Sequence, residues 1–81
     1  MTLAKLELWP GAATGATAPL TTVVLTESDA LEFAGWIKNQ FGTTGEKLFR
    51  TVIAPGPQGQ ALNPLAAYNE LRDAIDRFRN A

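Results

Sequence analysis

Residues 3–9 read Leu-Ala-Lys-Leu-Glu-Leu-Trp and alternate between apolar and charged side chains. A period of two places successive side chains on opposite faces of a β-strand. The pattern therefore predicts a first strand with Leu6 and Leu8 on one face and Trp9 at its end on the other. A proline and a glycine follow and end the strand, because proline lacks an amide hydrogen and glycine favours turns.

Two further segments are predicted to be strands. Residues 20–26 are rich in β-branched side chains and almost continuously apolar, which is typical of a central strand covered on both faces. Residues 47–54 are also rich in apolar side chains, although the lysine and leucine at their start leave a short helix as the alternative. We expect a strand at both positions.

Two helices are predicted, each from a capping signal followed by an apolar stripe. The segment from Thr26 to Asp29 combines a hydroxyl with carboxylates in the first turn, an arrangement that helix N-termini favour. Asn63 followed by Pro64 gives the second start, because proline suits the first helical position. Apolar residues then recur at spacings of three and four. The first stripe is Ala30, Phe33, Ala34, Ile37 and Phe41, and the second is Leu65, Tyr68, Leu71, Ile75 and Phe78.

The order of the elements is β-β-α-β-α, which predicts an α+β fold with a three-stranded sheet and two helices packed on one face. A length of 81 residues suits one domain with one core, so we expect residues 1–81 to form a single small globular domain. Glycine, proline and other turn-forming residues are frequent in 10–19 and 55–63. We expect flexible loops in both stretches.

The chain contains neither histidine nor cysteine. These side chains supply most proton transfer near neutral pH, most thiolate nucleophiles and most zinc ligands. The carboxylates of the two predicted helices sit at helix ends or among arginines, where we expect them to be solvated rather than catalytic. Two glycine-bearing segments, 11–17 and 42–47, lack the lysine directly after a glycine that a phosphate-binding loop requires, and in the second Glu46 stands at that position. We therefore expect no enzyme activity, no cofactor and no metal site.

The balance of charge is nearly neutral. A net charge of −1 and a pI of about 5.2 give no general attraction to phosphate backbones or anionic lipids, which disfavours nucleic acid as the main partner. The first nine residues carry charges and lack the apolar core of a signal peptide. No stretch approaches the ~20 apolar residues needed to cross a bilayer. We expect a cytoplasmic protein that does not enter membranes.

Binding to another protein is the leading functional hypothesis. Both tryptophans are predicted at the edge of the core, where packing in the core is the first interpretation. Contact with a partner is the alternative, because tryptophan is enriched at binding hot spots. Three carboxylates make the first helix acidic. We expect a non-catalytic protein-binding domain, such as a small inhibitor or adaptor that acts on a larger protein machine by steric occlusion or acidic mimicry. The predicted partner-binding residues are Trp9, Glu27, Asp29, Glu32 and Trp36.

Two other hypotheses remain open. Lys38, Lys47 and Arg50 lie near aromatic residues in the sequence and would form a patch for weak nucleic-acid binding, since single-strand binders combine cations with aromatic rings. A small chain without disulfides or a structural metal also gains stability when it binds a copy of itself. A self-associating structural subunit, such as a homodimer, is therefore the other alternative.

Overall fold

The computed structural model describes residues 2–11, 17–41, 49–56 and 59–80. The elements are β1 (Leu3–Pro10), β2 (Thr21–Thr26), α1 (Glu27–Phe41), β3 (Phe49–Pro55) and α2 (Pro64–Arg79). The strands form one antiparallel sheet that both helices contact, which confirms the α+β fold predicted from the sequence. Within these ranges, no helix is long and apolar enough to span a bilayer.

β1 is the central strand, because the order across the sheet is β2-β1-β3. The prediction that residues 20–26 form a central strand is wrong, since β2 lies at an edge. The continuous apolar run has another cause: Val23 and Leu25 face the core, whereas Val24 is half-buried on the opposite face. β1 can occupy the centre despite its charged residues, because an antiparallel sheet can leave one face partly in solvent.

The core lies between the helices and one face of the sheet. Every second residue of β1 from Ala4 to Pro10 is buried. The register places Leu6 opposite Val23 of β2 and Ile53 of β3, so these side chains share that face. Both helices bury residues in the same cluster, which puts them on the same side of the sheet. The buried helix residues are Ala30 and Ile37 of α1 and Ala67, Leu71, Ala74 and Ile75 of α2.

Both predicted helix starts are confirmed. Thr26 Oγ1 accepts a hydrogen bond of 3.1 Å from the Asp29 amide at the start of α1. Asn63 Oδ1 accepts one of 2.9 Å from the Leu65 amide, and Pro64 occupies the first turn of α2. These bonds satisfy amide groups that have no partner within the helix itself.

The buried side of α2 is rotated from the predicted stripe. Leu65 is 68% exposed, whereas Ala67 and Ala74 are buried beside Leu71 and Ile75. Small side chains let a helix come close to the element it packs against. Ala67 and Ala74 therefore lie on the buried side of α2, whereas the predicted stripe of large residues places Leu65 there.

Replacing Asn63 by alanine should lower the free energy of unfolding by about 1 kcal/mol, because the Leu65 amide loses its acceptor. Urea denaturation followed by circular dichroism measures the change. Asn69→Ala is the control, because Asn69 is exposed within α2 and alanine is the better helix former. An equal loss of stability in both variants would contradict a capping role for Asn63.

The second predicted loop is tied to the sheet at two points. The Gly56 amide donates to the Leu3 carbonyl at 3.1 Å, and the Leu62 amide donates to the Val24 carbonyl at 2.7 Å. The latter bond lies along the outer edge of β2. Flexibility in 10–19 and 55–63 stays a prediction. The parts of these stretches that lie outside the described residues are 12–16 and 57–58.

Candidate functional site

One face of the sheet points away from the helices. The described helices bury their apolar residues against the other face, together with Leu6, Leu8 and Leu25. We call the face without helices the open face. Alternation and register assign to it Leu3, Lys5, Glu7 and Trp9 of β1, Thr22 and Val24 of β2, and Arg50, Val52 and Ala54 of β3. It is therefore an apolar surface with charged residues on two of its strands.

Trp9 is held on the open face by two contacts. Glu7 lies two residues earlier on the same face, and its Oε1 accepts a hydrogen bond of 3.0 Å from Trp9 Nε1. Arg50 is the register partner of Trp9, and its guanidinium carbon lies 5.0 Å from the centroid of the indole ring. This is a cation–π distance. The indole is half-buried, its N–H is bonded to Glu7, and the Arg50 guanidinium lies over its ring.

Trp36 lies in the helix layer, on the other side of the sheet from Trp9. Its ring contacts Phe33 of α1 edge-on at 6.4 Å between centroids and Tyr68 of α2 at 5.0 Å. It is half-buried and packs against the core cluster. Aromatic pairs of this kind contribute about 0.5–1.5 kcal/mol beyond the area they bury. Trp36 therefore joins the two helices and shares no surface with Trp9.

The acidic residues of α1 form a third location. Glu27 and Glu32 are exposed and Asp29 is half-buried, all in the N-terminal half of the helix. Carboxylates near a helix N-terminus stabilise it through the helix dipole. Because α1 packs on the face opposite Trp9, the sheet separates these carboxylates from the open face. The structure thus splits the predicted partner-binding residues between two sides of the molecule.

Two of the predicted cations line one groove. Lys38 of α1 and Arg50 of β3 are exposed and border a groove of about 370 Å³ between these elements. Lys47 lies outside the described residues. Arg50 also contacts Trp9, so it connects the groove to the open face.

Glu7 and Val52 belong to the open face but were not assigned to a site from the sequence. The sequence could have indicated Glu7, because its spacing of two residues from Trp9 places both side chains on one face of a strand. The sequence could not have indicated Val52, because its position opposite Glu7 depends on the pairing of β1 with β3.

The open face presents an aromatic ring, a guanidinium group and aliphatic side chains, which are the kinds of group that contribute to non-covalent binding. In the ranges that the structure describes, no charged or polar side chain is buried. The same ranges contain no group of three acidic side chains suited to a metal ion. Known proteins give no guide here, since no family model, curated protein or solved structure matches the chain.

Proposed function

We propose that this protein is a non-catalytic protein-binding domain that contacts its partner through the open face, centred on Trp9. The observation that carries the proposal is the placement of the Trp9 indole, which donates a hydrogen bond to Glu7 and lies under the Arg50 guanidinium on the open face. We assign the protein to the cytoplasm, as a small inhibitor or adaptor that acts on a larger protein machine.

The residue types on this face support the proposal. Tryptophan and arginine are both enriched among the residues that dominate binding energies. Ordering a flexible side chain on binding costs about 0.5–1.5 kcal/mol, and the contact between Trp9 and Arg50 has already met part of that cost. Val52, opposite Glu7, and Val24, opposite Lys5, lie further along the same face and add apolar area that a partner would cover.

The shape of the face favours occlusion of a protein surface. Three paired strands present a broad side, whereas sites for small molecules are concave. When the open face binds a partner, this 8.7 kDa protein would cover an area of the partner's surface about equal to that of the open face. Acidic mimicry would use Glu27, Asp29 and Glu32 on the helix side, so the two modes of action can be separated by mutation.

Replacing Trp9 by alanine should weaken binding at least about 30-fold, the loss associated with a hot-spot residue. A tagged wild-type protein captures its partner from a lysate, and titration of that partner against each variant gives the dissociation constants. Leu65→Ala is the matched control, because Leu65 is an exposed apolar residue of α2 at a distance from the open face. Circular dichroism establishes that each variant is folded.

The outcomes separate the proposal from its alternatives. Unchanged binding by Trp9→Ala would overturn it, as would the absence of any captured protein at high bait occupancy. A variant carrying Glu27→Gln, Asp29→Asn and Glu32→Gln tests acidic mimicry. If that variant loses binding and Trp9→Ala does not, the partner contacts the helix side of the protein and not the open face.

Binding of single-stranded nucleic acid is the second candidate, and the groove that brings Lys38 and Arg50 together favours it. Phosphate contacts release counterions, so affinity should fall steeply as salt rises. Fluorescence anisotropy with a labelled single-stranded oligonucleotide measures this, with Lys38→Ala as the test variant. The absence of binding at about 50 mM salt would remove the candidate.

A further inference from the structure

The outer edge of β3 offers unpaired backbone groups. The bond from the Gly56 amide to the Leu3 carbonyl sets which residues of β3 point towards β1. Pairing directions alternate along an antiparallel strand, so Thr51 and Ile53 direct their N–H and C=O groups outward. In the described part of the chain, these outward groups bond to no other segment. The outer edge of β2 differs, because the Leu62 amide bonds to Val24 there.

The side chains at this edge do little to protect it. Natural sheets commonly block an exposed edge with a charge, a proline or a bulge. The one charge on β3, Arg50, lies over Trp9 on the open face, and Pro55 closes only the end of the strand. Ile53 is 36% exposed on the helix side of the sheet. The edge therefore combines free hydrogen-bonding groups with an apolar side chain that lies partly in solvent.

The flank of α1 next to β3 is accessible and consists of an apolar residue, a glycine and a lysine. Leu31, Gly35 and Lys38 follow one another at spacings of four and three, so they form one stripe along α1. Gly35 and Lys38 line the groove with Thr51, which puts this part of the stripe on the β3 side, and Leu31 continues the stripe towards the start of α1, where it lines a second groove with Thr2. Leu31 is 61% exposed, and a methyl group added to Gly35 would have no atom within 4 Å beyond its chain neighbours and the backbone of its own helix. Nothing in the described part of one chain fills this space.

We infer that a second copy of this chain covers the edge, with the two β3 strands paired antiparallel about a two-fold axis near Thr51. The three-stranded sheet then becomes a six-stranded sheet with all four helices on one side. A two-fold interface requires a surface that complements itself. The β3 edge meets this requirement, because an antiparallel strand can pair with its own copy.

The sequence of β3 selects the register. Pairing Thr51 with Thr51 of the second copy places Ile53 opposite Phe49 and keeps Pro55 outside the ladder. If each strand slides by one residue in one direction, Arg50 lies directly opposite Arg50 of the second copy. Like-charge repulsion disfavours this register. The opposite shift brings Pro55 into the ladder, where it has no N–H to donate.

The flank of α1 supplies the rest of the contact. A stable interface needs about 800 Å² from each partner, which is about 15% of the 5230 Å² surface of this chain. One strand edge is too narrow to provide it alone. Because Gly35 and Thr51 line the same groove, an axis near Thr51 also passes near Gly35. The two α1 helices then run antiparallel, with Leu31 of each against the aliphatic part of Lys38 of the other.

Light scattering tests the inference first. The wild-type protein should have twice the 8.7 kDa mass of one chain at high concentration and dissociate on dilution. Ile53→Lys should raise the dimer dissociation constant at least about tenfold, because it places a charge at the centre of the contact. Leu65→Lys is the matched control, since it replaces another exposed apolar residue away from β3. Trp9→Ala should leave the mass unchanged, which separates this inference from the proposed function.

Cross-linking tests the register directly. Hydrogen-bonded antiparallel partners have Cα atoms about 5.5 Å apart, within the range that a disulfide spans. The chain has no cysteine, so Thr51→Cys should yield a covalent dimer on oxidation, and Thr22→Cys on β2 should not. A wild-type mass of one chain at every concentration would overturn the inference. So would a dimer that survives Ile53→Lys and is not cross-linked through Thr51→Cys.

Discussion

Replacing Leu71 by alanine should lower the free energy of unfolding by about 2.7–5.0 kcal/mol, the range for buried leucines. Leu71 is fully buried on α2 at the contact with the sheet. A chain of 81 residues has a total stability of only about 4–12 kcal/mol. The loss is a large share of that stability, so the midpoints of urea and thermal denaturation should fall well below those of the wild type.

Leu65→Ala provides a control with the same chemical change on the same helix. Leu65 is 68% exposed, so its truncation should alter stability by no more than about 0.5 kcal/mol. The sequence stripe treats Leu65 and Leu71 as equivalent, and the structure does not. Similar losses in the two variants would mean that α2 packs on the face predicted from the sequence rather than on the face described above.

Replacing Gly56 by alanine should destabilise the protein by about 1–3 kcal/mol, the cost of overpacking. A Cβ atom at this position would lie 2.7 Å from the Leu3 carbonyl carbon and 2.8 Å from the Ala4 amide nitrogen. Both atoms belong to the backbone of the central strand, which cannot move without disturbing both of its ladders. Thermal denaturation at low protein concentration measures the loss.

Gly35→Ala should have the opposite sign. Gly35 lies within α1 and has open space around an added Cβ, so alanine should raise stability by about 0.5–1 kcal/mol through its higher helix propensity. Measurement at low concentration keeps association between chains from contributing. If Gly56→Ala were as stable as the wild type, the close approach of the loop to β1 would be contradicted.

The order and type of the elements could be predicted because they depend on local patterns. The capping signals at Thr26 and Asn63 and the alternation in β1 each act within a few residues. The position of a strand within the sheet depends on pairing between distant segments. The apolar run of β2 indicated burial on both faces, but two of its residues face the core and Val24 borders the open face.

The candidate site was predictable only in part, for the same reason. The sequence indicated that Trp9 faces away from Leu6 and Leu8, and the structure agrees with that placement. It could not show that Arg50 lies opposite Trp9, because this depends on the register of β3. It also could not show that Trp36 meets Tyr68, because this depends on how the helices pack.

The bond between Leu62 and Val24 limits how far such chains can assemble. Growth of a fibril by strand addition requires two available edges on every molecule, one for the preceding unit and one for the next. Here the connection that leads into α2 crosses one of them at the Val24 carbonyl. In the proposed pair each molecule uses its β3 edge once, so strand addition ends with the second molecule and the pair is closed.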